Sequence, residues 1–138
     1  MTWTGNELDK EVVERHFVPA VDTFRNQLGH PEAFVCQVAS YSMGQSILRV
    51  DVYHPETSTR HELLFGSVIH FSGSMTWLDA SLFVRPYDEA VRFYNHIVEK
   101  QNSPHENLGN YVCLYQFGAT EPITTILAWN FYVDPFAK

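Results

Sequence analysis

Near the start of the chain the apolar residues Leu8, Val12, Phe17, Val21, Phe24 and Leu28 recur at helical spacing and form one stripe. Thr4 and Glu7 are spaced as a capping box, with Trp3 and Leu8 at the two positions of a hydrophobic staple. Gly29, with Pro31 just beyond, supplies the stop. Pro19 lies inside the stripe, where it removes a backbone donor and crowds the carbonyl four residues earlier. The pattern therefore predicts one bent helix or two short ones, broken near Val18.

Past Pro31 the period changes to two. Leu48, Val50 and Val52 alternate with Arg49, Asp51 and Tyr53, which is the period of a half-buried strand. Residues 46–54 then pair with residues 34–43 across Gly44-Gln45, a Gly-first loop suited to a type II′ turn. After the loop 55–59, Leu63, Phe65, Ser67 and Ile69 are answered across Gly73-Ser74 by Leu78, Ala80, Leu82 and Val84. With Gly73 and Ser74 as the loop, Ile69 faces Leu78, Phe65 faces Leu82 and Leu63 faces Val84 on one side of the sheet. The other side then sets Glu62 against Arg85, Leu64 against Phe83, Val68 against Asp79 and His70 against Trp77.

A second helix is predicted over 87–101, with Ala90, Val91, Tyr94, Ile97 and Val98 as its apolar face. Asp88 and Glu89 suit its N-terminal end, Lys100 its C-terminal end, and Asn102-Ser103-Pro104 breaks it. Strands over 111–117 and 123–133, joined by a turn at 118–122, complete the chain. The expected fold is one α+β domain, 1–138, in the order α-ββββ-α-ββ. It carries an antiparallel sheet of about six strands, flat or strongly curled, with both helices packed on one face.

Charge sharpens this picture. From residue 110 to residue 134 only Glu121 and Asp134 are charged, and Tyr111, Tyr115, Trp129, Phe131 and Tyr132 fall on both sides of the final strands. A sheet face open to water carries polar side chains at alternate positions. The second face is therefore expected to be covered by a ligand, a second copy or another protein. Over all 138 residues, nine basic side chains stand against sixteen acidic ones, a net charge of −7. Arg15, Arg25, Arg49, Arg60, Arg85 and Arg92 are scattered, which argues against a nucleic-acid partner.

No apolar run approaches the ~20 residues of a membrane-spanning helix, and residues 1–8 lack the basic and apolar segments of a secretory signal. A cytoplasmic protein without a membrane partner is expected, with Cys36 and Cys113 as free buried thiols.

Candidate chemistry centres on His70, Trp77 and Asp79. In the register above, His70 lies opposite Trp77 and diagonal to Asp79, close enough for the carboxylate to orient the imidazole as an acid/base pair. His54, His61 and His70, with Glu56 and Glu62 between them, are potential metal ligands. No His-x-His, His-Glu-x-x-His or Cys-x-x-Cys spacing supports a site, so no metal is expected. Ser67, Ser72 and Ser74 lack the spacing of a nucleophile elbow, and the glycines stand singly rather than as a phosphate cradle, so no cofactor is expected either.

Two functional expectations follow. The first is a binding module that contacts a partner protein or its own copy through Tyr53, His70, Trp77, Tyr115 and Trp129. The second is a small enzyme or carrier holding an apolar molecule in a curled-sheet pocket, with His70 and Asp79 as acid and base and Trp77 as a wall.

Overall fold

The structure is a computed structural model, and it describes residues 4–44, 46–101, 112–118 and 122–133. The first helical stretch is widened ahead of Pro19 rather than divided in two, with helical backbone kept at Val13 and Val18. α1 (Glu7–Val12) runs into a single π-helical segment (Val13–Phe17) and then α2 (Val18–Leu28), in which Pro19 occupies the first turn. The Val18 N–H donates to the Val13 carbonyl, so the wider turn just before the proline accommodates its ring without a sharp break. Gly29, at φ 73°, ends α2. The cap of α1 is Asn6 rather than Thr4: its side-chain oxygen accepts from the Leu8 N–H at 2.8 Å. Leu8 itself is exposed, and Trp3 lies outside the described residues.

Among the described residues nine strands follow: β1 (Val35–Ser42), β2 (Ile47–Tyr53), β3 (Arg60–Gly66), β4 (His70–Ser72), β5 (Thr76–Leu78), β6 (Leu82–Val84), β7 (Cys113–Phe117), β8 (Thr124–Ala128) and β9 (Asn130–Val133). Between β6 and β7 runs α3 (Tyr87–Gln101), over the predicted span. The strands form two antiparallel sheets, ordered β5-β1-β2-β3-β9 and β4-β8-β7-β6. The class is α+β, as the pattern indicates, with two open sheets in place of a single six-stranded one.

The predicted second hairpin does not form. Its first strand divides into β3 and β4 and its return strand into β5 and β6, and none of these four pairs with another. β3 lies between β2 and β9, β4 pairs with β8, β5 with β1 and β6 with β7. Trp77 consequently sits opposite Cys36, and His70 opposite Leu127.

What joins the sheets is a corner. Gly66 pairs with Asn130 in the first sheet and His70 with Leu127 in the second, so the β3–β4 side carries one residue more than the β8–β9 side. The Trp129 N–H donates to the Gly66 carbonyl at 3.0 Å and the Ile69 N–H to the Leu127 carbonyl at 2.8 Å, which keeps the ribbon bonded through the bend. Ser67 takes the extra residue at φ 53°. A bulge of this kind bends both strands together and carries them from one sheet into the next. The strand predicted over 123–133 breaks at Trp129 for the same reason.

The core lies inside the bend. Cys36, Val50, Val52, Leu63, Phe65 and Trp77 face Leu82, Cys113, Tyr115, Phe117 and Ile126. On one side α2 spans the β6 and β9 edges, inserting Val21, Phe24 and Leu28. The Arg25 guanidinium donates to the Leu82 carbonyl at 2.6 Å and stacks over Phe83, 4.3 Å from its ring centre, so α2 is clamped to the β6 edge. α3 packs against β7, where its Ala90 and Tyr94 cluster with Leu114 and Leu127 on the face turned away from the core. The expectation that both helices share one sheet face is therefore replaced: α2 closes an edge and α3 covers a face.

That arrangement explains the low charge of the final strands. Leu114 and Leu127 alternate with Tyr115 and Ile126, and both sets are buried, one under α3 and one in the core. The outer face of the five-stranded sheet does meet water. There Arg49 pairs with Glu62, and Arg60 with Asp51 at 3.0 Å, an ordinary cross-strand charge ladder.

Candidate functional site

The residues singled out by the sequence do not assemble into one site. Tyr115 is fully buried, edge-on to Phe65 at 5.1 Å, and its hydroxyl neighbours the Cys113 thiol. Burial pushes that hydroxyl well above the ordinary tyrosine range and lifts the Cys113 thiol to about 12. Trp77, 5 % exposed, packs on Phe117 with ring centres 5.0 Å apart. Both aromatic side chains belong to the core, so neither presents a surface to a partner. Tyr53 is half-buried at the end of β2, between Val35 and Arg60, and Trp129 is half-buried at the corner.

Asp79 is corrected most clearly. It follows β5 at φ 99°, its carboxylate accepts from the Ser81 N–H at 2.9 Å, and its own N–H donates to the Phe34 carbonyl at 3.0 Å. That is an Asx-type turn closing the β5–β6 connection. It lies beside Cys36, whose thiol is pushed up first by burial and then by the Asp79 charge, which makes a thiolate nucleophile unfavourable. The acid/base pair of His70 and Asp79 depended on the hairpin register, and that register is not the one the chain adopts.

The histidines also stay apart. His54 accepts from the Glu56 and Thr57 N–H groups at 3.1 and 3.3 Å and so holds a turn. His61 points inward from β3, edge-on to Phe24 at 5.7 Å. His70 packs edge-on against Phe93 of α3 at 5.3 Å. Among the described residues no group of three His, Cys, Asp or Glu side chains is placed to hold a metal ion. No described helix is long and apolar enough to cross a membrane.

Desolvation lowers the pKa of both His61 and His70 below the ordinary 6.5. A base with a lowered folded pKa binds fewer protons folded than unfolded, so stability is unaffected above about 6.5 and falls as the pH drops through the folded value. The denaturant midpoint is expected to fall between about pH 7 and pH 5, and His61→Phe to flatten part of that fall. A midpoint that rises on acidification, or the same slope in His61→Phe, would contradict this burial.

What the structure does build is a cavity of about 330 Å³ on the side of the sandwich opposite α2. Val38, Tyr41 and Leu48 line it from the first sheet, and Val68, Ile69, His70 and Phe71 from the corner and β4. Met75, just before β5, forms part of the rim. None of these side chains carries a fixed charge. The interior of the bend is thus open to solvent beside β4 and β5, strands of three residues each.

Tyr41 reaches the cavity because of a local irregularity. Val38 pairs with Val50, but Ser40 pairs with Arg49 and Tyr41 with Leu48, so the register slips by one at Ala39. In a regular strand Val38 and Tyr41 would face opposite ways; the bulge turns both inward. Strict alternation therefore places Tyr41 on the wrong side. The one sequence signal is the run Ala39-Ser40-Tyr41-Ser42, which lacks the apolar partner that a continuing inner face would require two residues after Val38. Compared with family models, curated proteins and solved structures, the chain matches none.

Proposed function

We propose that this protein is a binding protein that holds an apolar small molecule in the cavity between β1, β2 and β4. The observation that carries the reading is an opening from the core lined by aliphatic, aromatic and thioether groups, without a charged side chain. Its volume of about 330 Å³ is roughly twice that of the dry cavity of about 150 Å³ that accommodates one benzene ring. A molecule of two or three aromatic rings, or a comparable alkyl segment, fits within it, at the lower end of the usual range for ligand pockets. Tyr41 and His70 are the polar contacts available to orient such a ligand. Lowered by its apolar surroundings, His70 is neutral at neutral pH and takes part as a hydrogen-bonding group. No carboxylate lines the cavity, so no acid/base step is assigned.

A titration with the uncharged fluorophore N-phenyl-1-naphthylamine tests this. Saturable fluorescence enhancement at one site per chain is expected, and Val38→Trp, which fills the cavity, is expected to weaken it about tenfold or more, a loss of about 1.4 kcal/mol. Non-saturable binding by the natural chain, or equal binding by Val38→Trp, removes the proposal.

A further inference from the structure

The edge of β1 next to the cavity is unfinished. β5 pairs with Val35, Cys36 and Gln37, and the last bond on that side runs from the Val38 N–H to the Met75 carbonyl at 2.8 Å. Beyond it, Ser40, Tyr41 and Ser42 pair with β2 alone. Two usual protections of an exposed edge, a charge and a proline, are absent from residues 39–44, while a third, a bulge, falls at Ala39 just before the free stretch. Tyr41 at 47 %, Met43 at 83 % and Met75 at 60 % exposure concentrate apolar surface at this edge.

We propose that a second copy of this chain pairs with this edge, β1 against β1, antiparallel about a twofold axis at Tyr41. Three observations select a copy. The exposed segment is uncharged in a chain of net charge −7, so it is a place where two copies approach without burying like charges. Beyond the bulge at Ala39 its free backbone belongs to a strand in regular register with β2 from Ser40 to Ser42, which leaves a three-residue template past the end of β5. An antiparallel pair of identical strands is self-complementary, as a twofold contact requires. Tyr41 then faces the copy's Tyr41, and Ser40 faces the copy's Ser42. The two five-stranded sheets become continuous, and the cavity mouth at Tyr41 and Met75 is covered by the other chain. This pairing rests on the exposed edge, and only the covering of the mouth rests on the small-molecule reading.

Sedimentation equilibrium of the natural chain over a concentration series is expected to approach twice 15.9 kDa. Ser40→Lys/Ser42→Lys places like charges opposite one another across the axis, on exposed side chains, and is expected to return the mass to that of one chain with an unchanged circular dichroism spectrum. The register has its own test. Directly opposed residues of an antiparallel pair lie about 4.5–5.5 Å apart at Cα, within disulfide range. Under mild oxidation Tyr41→Cys is expected to cross-link at least tenfold faster than Met43→Cys, while buried Cys36 and Cys113 stay silent. A single-chain mass at every concentration, a dimer that survives Ser40→Lys/Ser42→Lys, or equal cross-linking of the two cysteine variants overturns the pairing. N-phenyl-1-naphthylamine binding that persists in such a monomer leaves the cavity reading intact, so the two fail separately.

Discussion

Trp77→Ala is expected to lower the unfolding free energy by about 3–5 kcal/mol in urea denaturation, the usual loss for a large buried aromatic. Against a domain stability of about 5–15 kcal/mol this is a large fraction, and the melting temperature should drop by roughly 10 °C or more. The cause is packing. The indole covers Phe117 and stands opposite Cys36 on the innermost face of the first sheet, so truncation leaves a cavity whose walls are strands on both sides. The indole N–H finds no acceptor among the described residues. Trp77→Phe, which keeps most of the ring and removes that buried donor, is therefore expected to cost far less than Trp77→Ala. Should Trp77→Ala leave the denaturation midpoint in place, the side chain is at the surface and the strand pairing described here is wrong.

The same residue shows where reading the chain by pattern stops working. Alternation identified Leu63, Phe65, Leu82, Val50 and Val52 as inward-facing, and all are buried, because periodicity reports the local face of a strand. It carries no information on which strand lies alongside. Gly73-Ser74 has the composition of a two-residue hairpin loop. Yet Gly73, at φ 138°, lies in a connection between strands that belong to different sheets, since β4 finds β8 and β5 finds β1. Those partners are far apart in sequence, and their choice is settled by burial of the whole sheet. The first hairpin fared better because the pairing of β1 with β2 is local; the slip at Ala39 escaped, and it is the slip that turns Tyr41 to the cavity, while Gln45 of the expected two-residue loop lies outside the described residues.

Helices were the most legible elements. The stripe and stop of α2, the span of α3 and the irregularity ahead of Pro19 all depend on residues within a turn or two of each other. The cap at Asn6 displaced Thr4 because a donor-accepting side chain is needed only at the first residue that leaves helical geometry, and composition offered both. The low charge of the last strands was a sound signal that both faces of that sheet avoid water. Its cover is α3, a part of the same chain, so the inference to an outside partner at Tyr115 and Trp77 did not follow. The candidate site was legible only in outline, as a pocket in a bent sheet touching His70, because its lining comes from four segments that only the corner brings together.

Gly66→Ala probes that corner directly. A methyl group at Gly66 would stand 2.1 Å from Asn130 Oδ1 and 3.1 Å from its Cγ, too close for either atom to stay. Asn130 is short and its oxygen is buried, so the strain passes to the backbone of the two strands where they leave the first sheet. A loss of about 1–3 kcal/mol is expected, the range for forcing extra volume into a packed interior. Asn130 Oδ1 accepts no hydrogen bond among the described residues, so Asn130→Ala alone should cost little, and the double variant should recover most of the loss. A coupling energy of about 0.5–3 kcal/mol between the two positions is the signature of this contact. Additive losses instead would mean that Gly66 is required for some reason other than its neighbour. Val68 lies two residues further on and lines the cavity, so the same substitution should weaken N-phenyl-1-naphthylamine binding even where the chain remains folded. Stability and binding would then respond together to one methyl group, because the bend that makes the core is also the bend that leaves the cavity open.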